Sequence, residues 1–107
     1  MTTAEVFAEL KTRLESKGAD QLANSRGVYQ FNLTGNDQAN YYVAVGESGL
    51  QVAEGTAENA GVTITMQAQD FKDLAAGTLN PMSAFMSGKL SVAGDMSMAL
   101  KLQTLIS

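Results

Sequence analysis

Cysteine, histidine and tryptophan are all absent from this sequence, and proline occurs once. Without cysteine there is neither a disulfide nor thiolate chemistry, and cysteine usage leaves the redox compartment open. Without histidine the commonest general base and the commonest transition-metal ligand are missing. A Ser-His-Asp triad and a Cys-His pair are therefore both excluded. Cations are scarce, with 7 Lys and Arg against 11 Asp and Glu and a formal net charge of −4. That balance disfavours nucleic acid as a partner and allows at most transient contact with an anionic membrane. No stretch approaches the ~20 apolar residues needed to span a bilayer. The opening Met1-Thr2-Thr3-Ala4-Glu5 lacks the basic and apolar regions of a signal peptide. The closing Leu105-Ile106-Ser107 is not the Ser-Lys-Leu peroxisomal signal.

A soluble cytoplasmic protein folded as one domain over residues 1–107 is the expectation, since a chain of this length builds a core without staples. Little remains for catalysis. Ser87 and Lys89 sit two apart, and a Ser-Lys pair would need a buried lysine, whereas Lys89 falls on the wet face of a predicted strand. Asp70 and Asp73, three apart on a predicted helix, read as solvated acids and not as metal ligands. No catalytic residue, metal ligand or cofactor is assigned. Asn32-Leu33-Thr34 matches the glycosylation sequon but carries no weight without a secretory signal.

The apolar residues change period along the chain. Thr2 and Glu5 have capping-box spacing, and Val6, Phe7, Leu10 and Leu14 follow at helical period, with Lys17-Gly18 as the stop. After a polar stretch, Tyr29, Phe31 and Leu33 alternate with Gln30 and Asn32, a strand with one wet face. Gly35-Asn36-Asp37 turns the chain into a second strand at Tyr41, Val43 and Val45. Gly46 to Gly49 turns it again into a third strand over residues 50–53. These three form an antiparallel meander. A polar connection over residues 54–61 leads to a fourth strand at Val62, Ile64 and Met66. A helix from Gln67 to Ala76 then presents Phe71, Leu74 and Ala75, and Gly77 ends it.

The stretch from Gly77 to Leu105 changes period three times. Pro81 opens a short helix, with Met82, Phe85 and Met86 at i, i+3 and i+4. Gly88 ends it, and Leu90 and Val92 alternate as a fifth strand. Gly94-Asp95 leads into a last helix capped by Asp95. Met96, Met98, Ala99, Leu100, Leu102, Leu105 and Ile106 leave that helix apolar over most of its circumference. The elements give an α+β domain: a five-stranded, largely antiparallel sheet with helices on one face. Its core accounting does not close, because one sheet face should not require so much apolar helix. Four methionines (Met82, Met86, Met96 and Met98) fall within this excess, and methionine repacks around ligands of variable shape. The residues alone leave three readings open: a lipid tunnel, an ordinary methionine-rich core, and an apolar face that docks a partner or dimerises.

Gly77, Leu79, Pro81, Ala84-Phe85-Met86, Gly88-Lys89-Leu90, Val92, Gly94-Asp95-Met96 and Leu100 follow one another without a gap. This spacing resembles the tail of the sterol carrier protein type two family. The N-terminal half resembles it by topology and by Gly49 and Gly55. Gly61 stands where the family often carries Asp, which removes a hydrogen bond at the start of strand four, and Ala93 replaces a common charged residue. The resemblance implies an apolar tunnel enclosed between sheet and helices that takes fatty acid, fatty acyl-CoA, phospholipid or sterol without chemistry on the lipid. By position, the tunnel wall is Phe71, Leu74, Met82, Phe85, Met86, Met96, Leu100, Leu102 and Leu105. Arg26 is the best candidate for a headgroup carboxylate or phosphate. The same fold occurs in proteins that present prenylated quinone precursors to biosynthetic enzymes. A biosynthetic enzyme or a second copy of the chain therefore stays open as a partner.

Overall fold

The computed structural model describes residues 2–16, 26–36, 38–46, 49–98 and 101. Helix α1 (Thr3–Glu15) opens with the expected capping box, in which Thr2 Oγ1 accepts from the Glu5 amide and Glu5 Oε1 accepts from the Thr2 amide. Five strands follow in one sheet: β1 (Gly27–Thr34), β2 (Ala39–Gly46), β3 (Gly49–Glu54), β4 (Val62–Gln67) and β5 (Leu90–Gly94). Between β4 and β5 lie α2 (Ala68–Ala76) and α3 (Pro81–Met86). Past β5, residues 96–98 and 101 are helical, and Asp95 Oδ1 accepts from the Ser97 amide at 2.8 Å, as a capping residue should. The expected stop at Lys17-Gly18 lies outside the described residues.

The strand order is β3-β2-β1-β4-β5, and only the β1–β4 pair is parallel. Register puts the apolar residues of neighbouring strands opposite one another: Tyr29 faces Val43 and Val62, and Phe31 faces Tyr41 and Ile64. Ile64 in turn faces Val92, and Met66 faces Leu90. With a side-chain period of two, that register gathers the apolar residues of all five strands onto one face.

Helices α1 and α2 pack on that face around Phe7. Its ring stacks on Tyr41 (centroids 4.1 Å apart) and Phe71 (4.7 Å), and meets Phe31 edge-on at 5.7 Å. Such arrangements satisfy the ring quadrupoles while burying large apolar area. Arg13 near the end of α1 donates from Nη2 to the Ala75 carbonyl at 3.0 Å, placing a cation where the carbonyls of α2 run out of amide partners.

The opposite face differs from the sequence expectation at Gln30. This residue is 2% exposed, although its position in β1 assigns it to the wet side. The β3–β4 connection covers it. Gln30 Nε2 donates to the carbonyls of Tyr41 and Gly55 and to Asn32 Oδ1, while Oε1 accepts from the Ala57 amide at 2.7 Å. Strand β3 therefore reaches β4 by a short crossover pinned to the sheet, with no helix between them.

Candidate functional site

Helix α3 begins where Asn80 Oδ1 accepts from the amides of Met82 and Ser83, and Pro81 occupies its first turn. It ends through the amides of Gly88 and Lys89, which donate to the carbonyls of Phe85 and Ala84. The side chain it turns inward is Ala84, which is fully buried. A methyl at that position lets α3 lie close against β5, and the large residues of the helix then have nowhere to go but outward. Met82 is 48% exposed, Phe85 43% and Met86 81%.

Of the nine residues expected to form one wall, the six that are described fall in two places. Phe71 and Leu74 lie in the buried core, Phe71 with its ring against Phe7 and Phe31. Met82, Phe85 and Met86 share α3, and Met96 follows β5, the strand on which α3 packs, with half of its surface exposed. Among the described residues these four are the exposed large apolar side chains. Leu79, Val92 and Met98 are partly buried against the core. Leu100, Leu102 and Leu105 lie outside the described residues. Arg26 stands exposed directly before β1.

Depressions lined by described residues include two on other parts of the surface. One, of about 260 Å³, lies between α1 and α2 and is lined by Val6, Glu9, Gln69, Lys72, Asp73, Ala75 and Ala76. The other, of about 400 Å³, lies beside the β2–β3 hairpin from Val28 to Gln51. Neither is lined by any of the nine wall residues. The apolar surface of α3 and of the turn after β5, set over the core at Leu90 and Val92, is the candidate site because the exposed large apolar side chains among the described residues gather there.

Its electrostatics are sparse. Among the described residues no group of three or more Asp or Glu is placed to hold a metal ion, and no helix is long and apolar enough to cross a membrane. Tyr29, under the end of the sheet that Asp95 approaches, has its hydroxyl pKa raised, first by burial and then by the charge of Asp95. A phenol held neutral among apolar side chains suits binding better than proton transfer near neutral pH.

Sequence reasoning missed Gln30, Ala84 and the seat of Met98. The Met98 side chain enters a gap left by two glycines, Gly27 and Gly61. The available signal for Ala84 was its place between Met82 and Phe85, since a small residue on a short helix marks close approach.

The model of the SCP-2 sterol transfer family matches residues 7–107. The chain belongs to that family. Lipid or sterol binding and transfer is the general function of that family, whose domain is of a generally non-enzymatic kind. Human sterol carrier protein 2 is 36% identical over 103 residues, which cover 94% of this chain and 19% of that protein, so the chain spans about a fifth of that relative's length. Among solved structures, palmitated SCP2L2 from Aedes aegypti superposes with a TM-score of 0.84 at 24% identity, covering 99% of this chain and 95% of that one. UbiJ-SCP2, described as a ubiquinone synthesis protein, superposes with a TM-score of 0.75 at 22% identity, covering 97% and 91%. At these identities both likenesses concern the fold.

Proposed function

We propose that this chain is a single-domain, non-enzymatic lipid carrier. It takes up a fatty acid, fatty acyl-CoA, phospholipid or sterol in an apolar site between sheet and helices, and passes it on unchanged. The observation that carries this reading is the grouping of Met82, Phe85, Met86 and Met96, the exposed large apolar residues, on α3 and the turn beside it in a member of a lipid-transfer family. Phe71 and Leu74 serve as the floor, and Leu100, Leu102 and Leu105 complete the wall. Energetics support a tail-driven site. Burying an acyl chain of about 16 carbons yields roughly 12 kcal/mol gross at ~0.8 kcal/mol per methylene. Micromolar affinity needs about 8 kcal/mol net, so no strong headgroup site is required. Arg26 supplies the single headgroup contact, and the carrier works in the cytoplasm with only transient membrane contact.

Displacement of a fluorescent acyl probe by fatty acid tests the reading. Phe85→Trp and Met86→Trp weaken probe binding while the fold persists; unchanged affinity in both counts against the assigned wall. A co-purifying lipid in native mass spectra of protein isolated from cells supports a carrier.

A second reading, presentation of a prenylated quinone precursor to a biosynthetic enzyme, draws on the same outward face of α3. At 81% exposure Met86 has the character of a docking residue, and the fold neighbour UbiJ-SCP2 bears the name of a ubiquinone synthesis protein. A mass free of lipid together with a stable dimer or enzyme complex favours docking over carriage.

A further inference from the structure

Three contacts tie the turn after β5 to Gly61, the residue before β4. The Asp95 amide donates to the Gly61 carbonyl at 2.8 Å. Gly94, at φ +105°, passes so near that a β-carbon on it would stand 2.6 Å from that carbonyl oxygen. The Met98 thioether fills the space that side chains would take at two positions. A β-carbon on Gly61 would overlap its sulfur and stand 3.1 Å from its Cε; one on Gly27 would overlap Cε and stand 3.3 Å from the sulfur. The notch is fixed from below, because the Gly61 amide donates to the Val28 carbonyl at 3.0 Å. Met98 is partly buried and packs on the core.

We propose that Met98 is a latch for the turn 94–98 and a site of reversible oxidation, at which a hydroperoxide converts the seated thioether to a sulfoxide that the notch cannot hold. In that step a sulfur lone pair attacks one peroxide oxygen and the O–O bond breaks. The sulfur is oxidised by two electrons, and the other oxygen leaves as hydroxide or alkoxide and takes the proton from the transferred oxygen to become water or an alcohol. The product is polar, chiral and larger at the very atom that meets Gly61. Its oxygen needs a donor, and the amides of Gly61 and Asp95 are committed, Gly61 to Val28 and Asp95 to Gly61. Seating the sulfoxide would bury an unsatisfied acceptor, so the turn lets go.

The other described methionines make Met98 distinct. Met82, Met86 and Met96 are exposed, and their oxidation releases nothing, whereas Met66, 3% exposed, is shielded in the sheet. Met98 lies between these cases, reachable and structurally engaged. A methionine sulfoxide reductase restores the latch. Faster lipid exchange from the released turn is the further consequence, and that part rests on the carrier reading.

The test combines peptide mass spectrometry with amide hydrogen exchange on the full chain treated with hydrogen peroxide. Met86 oxidises first. When Met98 follows, the Asp95 amide exchanges about tenfold faster or more, while Ile64 in β4 stays protected. Gly61→Ala reproduces the loss without oxidant, since the added methyl displaces only the far end of a long side chain. Met98→Leu, which fills the notch but resists peroxide, keeps Asp95 protected through the treatment. Three results overturn the proposal: Asp95 protection unchanged once Met98 is oxidised, the same loss in Met98→Leu on peroxide treatment, or Met98 untouched after Met86 is fully converted. An acyl-probe exchange rate that rises with the lost protection extends the latch to transfer. A constant rate despite lost protection refutes that extension and leaves the oxidation chemistry standing.

Discussion

Gln30 and Ala57 are joined by a 2.7 Å hydrogen bond between the side-chain oxygen of one and the backbone amide of the other, across a gap of 27 residues. The same side chain donates to the Tyr41 and Gly55 carbonyls, so a single amide group fastens the β3–β4 crossover to two strands. Gln30→Leu keeps the volume and strands those partners without water. An unsatisfied buried polar group costs about 1–3 kcal/mol. The expected loss is roughly 2–4 kcal/mol, read as a lower urea midpoint together with faster exchange of the Ala57 amide.

Phe7 touches three rings drawn from two strands and a helix. Phe7→Ala leaves a cavity that those rings cannot all collapse into, and should destabilise the domain by about 3–5 kcal/mol. Phe7→Leu should cost less than half as much. Chemical denaturation of both variants measures the difference.

Tyr29 predicts a change at alkaline pH. Its folded pKa is raised above the ordinary value of 10.0, by burial first and by Asp95 second. The unfolded chain therefore ionises before the folded one. Stability from the neutral phenol is complete below about pH 10 and is lost as pH rises through the folded value. Tyr29→Phe should flatten the fall in stability on that side and remove a late component from the tyrosinate absorbance. Asp95→Asn should lower the raised value only in part, because burial remains.

Met86 separates binding from folding. With 81% of its surface exposed, Met86→Ser should change stability by no more than about 0.5 kcal/mol. It should still weaken acyl-probe affinity, which competitive displacement would show. A large stability change would place Met86 in the core instead.

Much of this fold is readable in the order of residues. Alternation at Tyr29, Phe31 and Leu33 and at Val62, Ile64 and Met66 gave the strands their faces, and Thr2, Pro81 and Gly88 mark helix ends by local chemistry alone. What escaped is non-local. Gln30 reads as a wet residue because alternation knows only its own strand, and its burial depends on a crossover that begins more than twenty residues later. The stripe of Met82, Phe85 and Met86 is visible as a stripe, but whether it faces the sheet depends on Ala84 packing inward. The residues expected to form the wall are legible only as a class of apolar side chain. The burial of Phe71 and Leu74 in the core and the outward face of α3 are not.

Strand order adds a mechanical consequence. Among the described residues β5 is the last strand and lies at the sheet's edge, paired with β4 alone. Helix α3 lies on that margin, while the turn after β5 reaches back to Gly61 and Gly27, where β4 and β1 begin. If that margin opens while the central ladder stays paired, then on the carrier reading a ligand enters without the domain unfolding.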